Sequence, residues 1–222
     1  MKAFKAERGD FKDFMSLRGI PFVVSAPSGS GKSTLVKRLL EEIPGLLFSI
    51  SFTTRLPKEK EKNGVNYHFV SRETFQQMVR EGQFFEHAQV FGEFYGTACS
   101  SVEKLLEEGK DVILDIDTEG AAQVKQRLPH AVTIFIFPPS LMALRERLYS
   151  RRRDTQSEME KRLRWAAEVE IHRYASYDYV IINDQLEQAL EILKGIVVAE
   201  RSRTRRMTPH LEPILNTFGG QP

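Results

Sequence analysis

An α/β fold with a parallel sheet flanked by helices is the class that this sequence predicts, and three observations predict it. Apolar runs such as Val112-Ile113-Leu114 and Ala131–Phe137 alternate with helical patterns, as parallel strands buried on both faces do. The stretch Phe22-Val-Val-Ser-Ala-Pro-Ser-Gly-Ser-Gly-Lys-Ser-Thr-Leu35 reads as strand, glycine-rich turn and helix start. From Thr53 to Thr97 the pattern breaks into short charged and β-rich segments, which reads as a small mixed β subdomain inserted into the larger fold.

The elements follow in order. Residues 1–18, mixed in charge with scattered Phe4, Phe11, Phe14 and Met15, form an N-terminal extension, loosely ordered or briefly helical. Ile20–Ser25 is the first strand. Lys32–Glu42 is a helix with Leu35, Leu39 and Leu40 on one face, stopped by Pro44-Gly45. Leu46–Phe52 reads as one core strand. In the insertion, Tyr67–Val70, a helix near Arg72–Glu81, Phe84–Val90 and Glu93–Thr97 are the regular segments. The core resumes with a helix over Val102–Glu108, a strand over Asp111–Asp117 and a helix over Glu119–Leu128 that Pro129 stops. Next come the strand Ala131–Phe137, a helix over Ser140–Tyr149 with Ser140 as its N-cap, and a long helix over Ser157–Tyr174. Tyr179–Ile182 is the last strand and Gln185–Arg203 the last long helix. The tail, 204–222, holds Pro and Gly and is expected to fray. These boundaries give a core of 19–52 and 98–203, an insertion of 53–97 and a lid at about 147–162.

The turn after the first strand has a chemical purpose. Small residues over Ala26, Pro27, Ser28, Gly29, Ser30 and Gly31 let backbone N–H groups converge on anionic oxygens, and the next helix aims its positive N-terminus at the same place. Lys32 would reach the β- and γ-phosphates of a nucleoside triphosphate, and the Ser33 hydroxyl would ligate Mg²⁺, with Thr34 beside it. Ala26 stands where the pattern has its first glycine. Ligands of such sheets bind outside the carboxyl ends of the strands, so Asp115 and Asp117 would face the same crevice as this loop.

Composition sets bounds. The chain has 222 residues, a formal net charge of +2 and 41% hydrophobic residues, enough for one domain with a core and too balanced for a strong global field. Its one cysteine, Cys99, excludes an internal disulfide framework and a cysteine-rich zinc site, and a reducing, cytoplasmic location follows as the expectation. No apolar run is long enough to span a membrane, and the N-terminal residues have no apolar secretory core. The five histidines are not spaced as metal ligands.

Several separate motifs, in order, carry a resemblance. They are Ser51-Phe-Thr-Thr-Arg55-Leu-Pro-Lys58, Asn63-Gly-Val-Asn-Tyr67, Glu86-His-Ala-Gln-Val-Phe-Gly-Glu-Phe-Tyr95-Gly-Thr97 and Leu114-Asp-Ile-Asp117. The spacing Arg147…Arg151…Arg162 and the run Val180-Ile-Ile-Asn183-Asp184 belong with them. Together with the phosphate loop they resemble guanylate kinase over roughly residues 20–203. The resemblance implies a P-loop nucleoside-monophosphate-kinase-like fold, with the parallel sheet flanked by helices, an inserted small mixed β nucleotide-binding subdomain and a helical lid. It implies ATP-dependent phosphorylation of GMP, and of dGMP, to the diphosphate in purine nucleotide metabolism, with Mg²⁺ as cofactor. No nucleic acid or membrane partner is implied, and monomer and homo-oligomer both stay open.

The same resemblance assigns roles. Arg55, Tyr67 and Tyr95 would hold the phosphate of GMP, with Lys58 where the family commonly has a second arginine; lysine keeps the charge and loses the planar fork. Glu86 and Asp117, with Ser51 and Thr97, would read guanine, whose N1–H and 2-amino donors suit carboxylates and whose O6 suits hydroxyls. Arg147, Arg151 and Arg162 would be lid arginines around the transferring group, with Lys32 opposite. Asp115 would support Mg²⁺ through water, although a strand-terminal carboxylate also suits a structural hydrogen bond. Asn183 would lie on the adenine side, although a turn-forming asparagine suits the same position.

Two rivals stay in view. Another P-loop small-molecule kinase, such as a ribosyl bisphosphate phosphokinase, would share Lys32 and Ser33 and need no guanine reader. A non-catalytic guanylate-kinase-like interaction module would not need an intact loop or lid arginines. The basic cluster Arg201, Arg203, Arg205 and Arg206 reads as favourable pairing at a helix end rather than a nucleic-acid platform.

Overall fold

β1 (Pro21–Ser25) is buried along its whole length, and the architecture is arranged around it. The structure is a computed structural model that describes residues 18–90, 92–150 and 155–218. β1 pairs in parallel with β7 (Asp111–Asp115) on one side and β8 (Val132–Phe137) on the other. β2 (Leu46–Phe48) adds beyond β7 and β9 (Tyr179–Ile182) beyond β8, so the five-stranded order is β2-β7-β1-β8-β9, parallel throughout.

Alternate residues of β1 serve the two faces, as the two-residue period of a strand requires. Phe22 and Val24 join a core with α1 (Lys32–Glu42) and α7 (Leu186–Arg201), through Leu35, Leu39, Leu190 and Leu193. Val23 joins a second core with α3 (Cys99–Glu107) and α4 (Thr118–Arg127), through Val102, Leu106, Ala121 and Val124. The fold class read from the sequence is therefore the one observed.

A second sheet holds β3 (Phe52–Thr53), β4 (His68–Phe69), β5 (Phe84–Val90) and β6 (Glu93–Ala98) in the order β4-β3-β6-β5. It is mixed, with β3 parallel to β4 and β6 antiparallel to both β3 and β5. Its core is aromatic. Phe75, from α2 (Arg72–Arg80), stacks on Phe84 at 4.6 Å and on Phe94 at 5.5 Å between ring centres.

Four expectations need correction. Leu46–Phe52 is not one strand: β2 ends at Phe48 and β3 begins at Phe52 in the other sheet, because the chain leaves the β7 ladder after Ser49 N donates to Ile113 O (3.0 Å). The helix read over Ser157–Tyr174 changes winding. α6 (Gln156–Trp165), capped by a reciprocal Thr155–Glu158 box, passes into a π-turn over Ala166–Glu170 and a 3₁₀ turn over Ile171–Ser176. The tail does not fray at once, because α8 runs from Thr204 to Thr217 with Pro209 and Pro213 inside it. None of its residues is buried, so water can take the carbonyls that the two prolines leave unpaired. The strand predicted to reach Asp117 stops at Asp115, and Asp117 caps α4 instead. Ser140 does cap α5 (Leu141–Ser150), its Oγ accepting from Ala143 N at 3.0 Å.

One buried acid ties the layers together. Asp111 is 5% exposed and accepts from Ile20 N (2.6 Å) and Arg201 Nε (2.7 Å), joining the starts of β1 and β7 to the end of α7. Replacing it leaves a buried N–H without an acceptor, which costs about 1–3 kcal/mol. Asp111→Ala is accordingly expected to lower the unfolding free energy by about 1–3 kcal/mol, read as a lower urea midpoint at an unchanged m-value. An unmoved midpoint would show that the junction is not held by this carboxylate.

Candidate active site

The loop between β1 and α1 has the conformation that a phosphate cradle needs. Gly29 and Gly31 sit at φ of 98° and 90°, the left-handed region that other residues avoid. Gly31 has a second reason to be glycine, since a Cβ there would lie 2.3 Å from Asn183 Nδ2. Ala26, in place of the first glycine, is buried at the end of β1, and Pro27 O accepts from Ser30 N at 3.1 Å. Ser33 and Thr34 are exposed in the first turn of α1. Lys32 reaches back across the sheet end, where its Nζ meets Asp115 Oδ1 (2.7 Å) and Ile116 O (2.6 Å).

The arginines converge on the same loop. Arg162 Nη1 donates to Ser28 Oγ at 3.2 Å. Arg147 Nη2 donates to Asn183 O at 3.0 Å, while its Nη1 is enclosed with no acceptor among the described residues. Asn183 is 3% exposed and its side-chain amide donates to Ser30 O at 2.7 Å, so it braces the loop. Gly29, Gly31, Thr34, Arg147, Asn183 and Asp184 line a cleft of about 310 Å³. Arg151 lies outside the described residues.

Across the crevice, the second sheet brings Arg55, Tyr67 and Tyr95 together. The Arg55 guanidinium lies over the Tyr67 ring, 5.4 Å from its centre, and Tyr67 meets Tyr95 edge to face at 6.0 Å. Burial pushes the Tyr67 hydroxyl up, with smaller contributions that include Tyr95 and the Asp115 carboxylate of the other sheet. Lys58 is exposed in the same loop. The carboxylate of Glu61, which sequence reasoning passed over, holds both Nη atoms of Arg55 at 2.9 Å.

Deeper in, Glu86 is 6% exposed on β5 and accepts from Thr97 Oγ1 on β6 at 2.6 Å. Burial pushes its carboxyl up to about 7; the Thr97 bonds and the Lys32 charge oppose that rise, and Asp117 adds to it. Asp117 is exposed, and one of its oxygens caps α4 from Glu119 N (3.0 Å) and Gly120 N (2.7 Å). Ser51 is half-buried beside β3, its carbonyl accepting from His68 N. A second acid was missed: Glu170, 9% exposed on the π-turn, is pushed up to about 7 by burial first and the Asp117 charge second. Its sequence signal is an acid in phase with the apolar stripe Met159, Leu163 and Ala166.

The arrangement joins a polyanion cradle to a buried acid–hydroxyl pair, with cations from three helices and from the loop after β3 around them. Comparison with known proteins places it. The family model described as guanylate kinase matches residues 18–200. The guanylate kinase of Alkalilimnicola ehrlichii is 45% identical over 202 residues, covering 91% of this chain and 99% of its own. That of Koribacter versatilis is 50% identical over 192 residues, covering 84% and 81%. A crystal structure of guanylate kinase from Anaplasma phagocytophilum superposes with a TM-score of 0.69 at 36% identity, covering 89% of this chain and 95% of that one. With the loop, the acid–hydroxyl pair and the small sheet all in place, this chain belongs to the guanylate kinase family.

Proposed function

We propose that the chain transfers the γ-phosphoryl group of ATP to the phosphate oxygen of GMP, giving ADP and GDP, and that dGMP is a second acceptor. The observation that carries the reading is the buried Glu86–Thr97 pair, which faces Asp117 and lies within electrostatic reach of Lys32. A carboxylate there accepts from guanine N1–H and the 2-amino group. Adenine has no such donors and would leave the acid unpaired, a discrimination on the order of 10⁴ in a well-built site. Asp117, through the oxygen not used in capping, and the hydroxyls of Ser51 and Thr97 complete the guanine contacts.

The acceptor oxygen is largely deprotonated at pH 7, since a phosphomonoester has its second pKa near ~6, so no general base is required. The chain's task is to bring two anions together and spread their charge. Arg55, Tyr67, Tyr95 and Lys58 hold the acceptor phosphate. The loop from Ala26 to Thr34 holds the donor phosphates, with Asn183 bracing it beside the adenosine half. Lys32 on one side and Arg147, Arg151 and Arg162 on the other surround the transferring group, and the lid at about 147–162 excludes water. The oxygen donors present suit Mg²⁺: the Ser33 hydroxyl is exposed, and Asp115 has an oxygen not engaged by Lys32, which would support the ion through water. When bound with the triphosphate, that ion neutralises phosphate charge. A reducing, cytoplasmic setting and a place in purine nucleotide metabolism go with this reading, and no helix among the described residues is long and apolar enough to cross a membrane.

The test is ADP release with ATP and Mg²⁺ against GMP, dGMP, AMP, CMP and UMP. Turnover with GMP and dGMP far above AMP is expected, and equal turnover with all five would overturn the guanine reader. Lys32→Ala is expected to lower kcat by about 10²–10³-fold, the usual cost of removing one preorganised charge-stabilising donor.

Glu86 also makes stability depend on pH. Its folded pKa, about 7, lies above the ordinary carboxylate value of 4.5. The folded state therefore holds a proton that the unfolded state has released. The contribution to stability is full below pH ~4.5 and is lost as pH rises through ~7. Glu86→Gln keeps the neutral form at every pH. Its unfolding free energy relative to the parent is expected to grow between pH 5 and pH 8, by an amount on the order of 3 kcal/mol. A difference that stays flat across this range, in paired urea titrations, would contradict the assignment.

A further inference from the structure

Arg55 offers five N–H donors on a rigid plane, and three of them go to Glu61 and Leu56. Nη1 donates to Glu61 Oε2 (2.9 Å) and to Leu56 O (2.8 Å), and Nη2 donates to Glu61 Oε1 (2.9 Å). The edge made by Nε–H and the second Nη2–H meets no carboxylate or carbonyl among the described residues; the guanidinium's other hydrogen-bond partner is the hydroxyl of Tyr95, which is assigned to the same phosphate. That edge is itself a two-donor fork of the kind that fits a phosphate. The guanidinium is held from one side as well, since it lies over both the Tyr67 and the Phe69 ring, at 5.4 and 5.7 Å from their centres.

Glu61 does more than neutralise a charge. The oxygen that takes Nη1 also accepts from Lys58 N at 2.8 Å, and Glu61 N donates to Lys58 O at 2.9 Å. One carboxylate thus closes the turn that carries Lys58 and aims the arginine at its start. The side chains of Arg55 and Glu61 are 22% and 20% exposed, so the pair is ordered yet open to the crevice.

We propose that Glu61 is a positioning residue for the acceptor: by clamping the Nη1/Nη2 edge of Arg55 it dedicates the Nε/Nη2 edge to the phosphate of GMP. The inference rests on the assignment of Arg55 to that phosphate. Two effects of the carboxylate oppose each other. Its negative charge repels the incoming phosphate, but water and salt screen that repulsion at a partly exposed site. Its clamp removes the rotamer freedom that a long arginine would otherwise lose on binding. The clamp is the larger effect here because one carboxylate fixes guanidinium and turn together, and because Lys58 supplies no second planar fork. The Arg55 hydrogen bonds also hold the Glu61 carboxyl below the usual range, so it stays ionised at neutral pH.

The test is steady-state kinetics of Glu61→Gln and Glu61→Asp, varying GMP at saturating ATP and then ATP at saturating GMP. Glu61→Gln keeps the size but turns an amide N–H₂ toward one arginine donor. It is expected to raise KM for GMP about ten-fold, a typical cost for a lost charge-assisted bond. KM for ATP and kcat should move by less than about two-fold, and Glu61→Asp should recover part of the loss. In an Arg55→Lys background, which has no fork to clamp, Glu61→Gln should add less than about two-fold. A KM for GMP that falls or stays level in Glu61→Gln would overturn the proposal, as would equal losses for both substrates. If Arg55→Ala leaves KM for GMP unchanged while the parent phosphorylates GMP, the assignment of Arg55 itself fails, and with it the role of Glu61.

Discussion

The register of β1 against β7 is the constraint on which the rest of this site depends. Val24 stands opposite Asp115, and Ser25 opposite Phe135 of β8. The phosphate loop therefore leaves the sheet just where β7 ends in a carboxylate. Lys32, the first residue of α1, can then lie across the strand ends and meet Asp115 at 2.7 Å. A slip of one residue would put Leu114 there and turn every side chain of the strand to the opposite face. The apolar residues of both cores forbid it, so hydrophobic burial far from the chemistry sets where the lysine points. Asp111 holds the other end of the same pair of strands through Ile20 N.

Charge is handled in two ways. The cations Lys32, Arg55 and Arg162 are each held by specific oxygens, so their positions are fixed before any anion is met. The acids Glu86 and Glu170 are instead buried, and both carboxyls are pushed up to about 7. The protein thus keeps its positive groups oriented while it holds two acids near the point of ionisation, with the Asp117 charge acting on both. Buried titratable groups perturbed in this way mark functional clefts more often than plain surfaces.

Much of this was legible in the sequence because the signals were local. The bounds of α1 match those read from Leu35, Leu39 and the Pro44-Gly45 stop, and the apolar run from Val132 to Phe137 is the buried strand it looked like. What was missed required three-dimensional information. The break between Phe48 and Phe52 is invisible in an apolar run, because it records a change of sheet and not a change of composition. Pro209 and Pro213 outweighed the helical spacing of Met207, Leu211, Ile214 and Leu215, yet an exposed helix tolerates them. Glu61 lay hidden in the alternating run Lys58-Glu-Lys-Glu-Lys62, where nothing local tells one acid from the next. At the site, Lys32, Arg55, Tyr67, Tyr95, Glu86 and Thr97 all lie around the crevice, each within reach of another residue of the set or of Asp115. Asn183 takes a part that spacing could not reveal, as a brace beneath Ser30.

The π-turn at Ala166–Glu170 makes the length of this segment adjustable at one place only. Such a turn carries one residue more than an α-helix would use for about the same rotation. Losing that residue would restore regular winding with the chain on either side still in phase, whereas losing one from the regular turns of α6 would turn its two ends against each other by about 100°. Arg162 could then no longer meet Ser28 while Arg173 keeps Thr118 and Asp178 keeps Lys125 and the Thr133 backbone at the start of β8. Substitutions along α6 and this turn meet mostly solvent, but a one-residue deletion within α6 would uncouple the arginine-bearing helix from the sheet. Changes of length in this stretch should accordingly fall at the π-turn, and α6 itself should vary in residue alone.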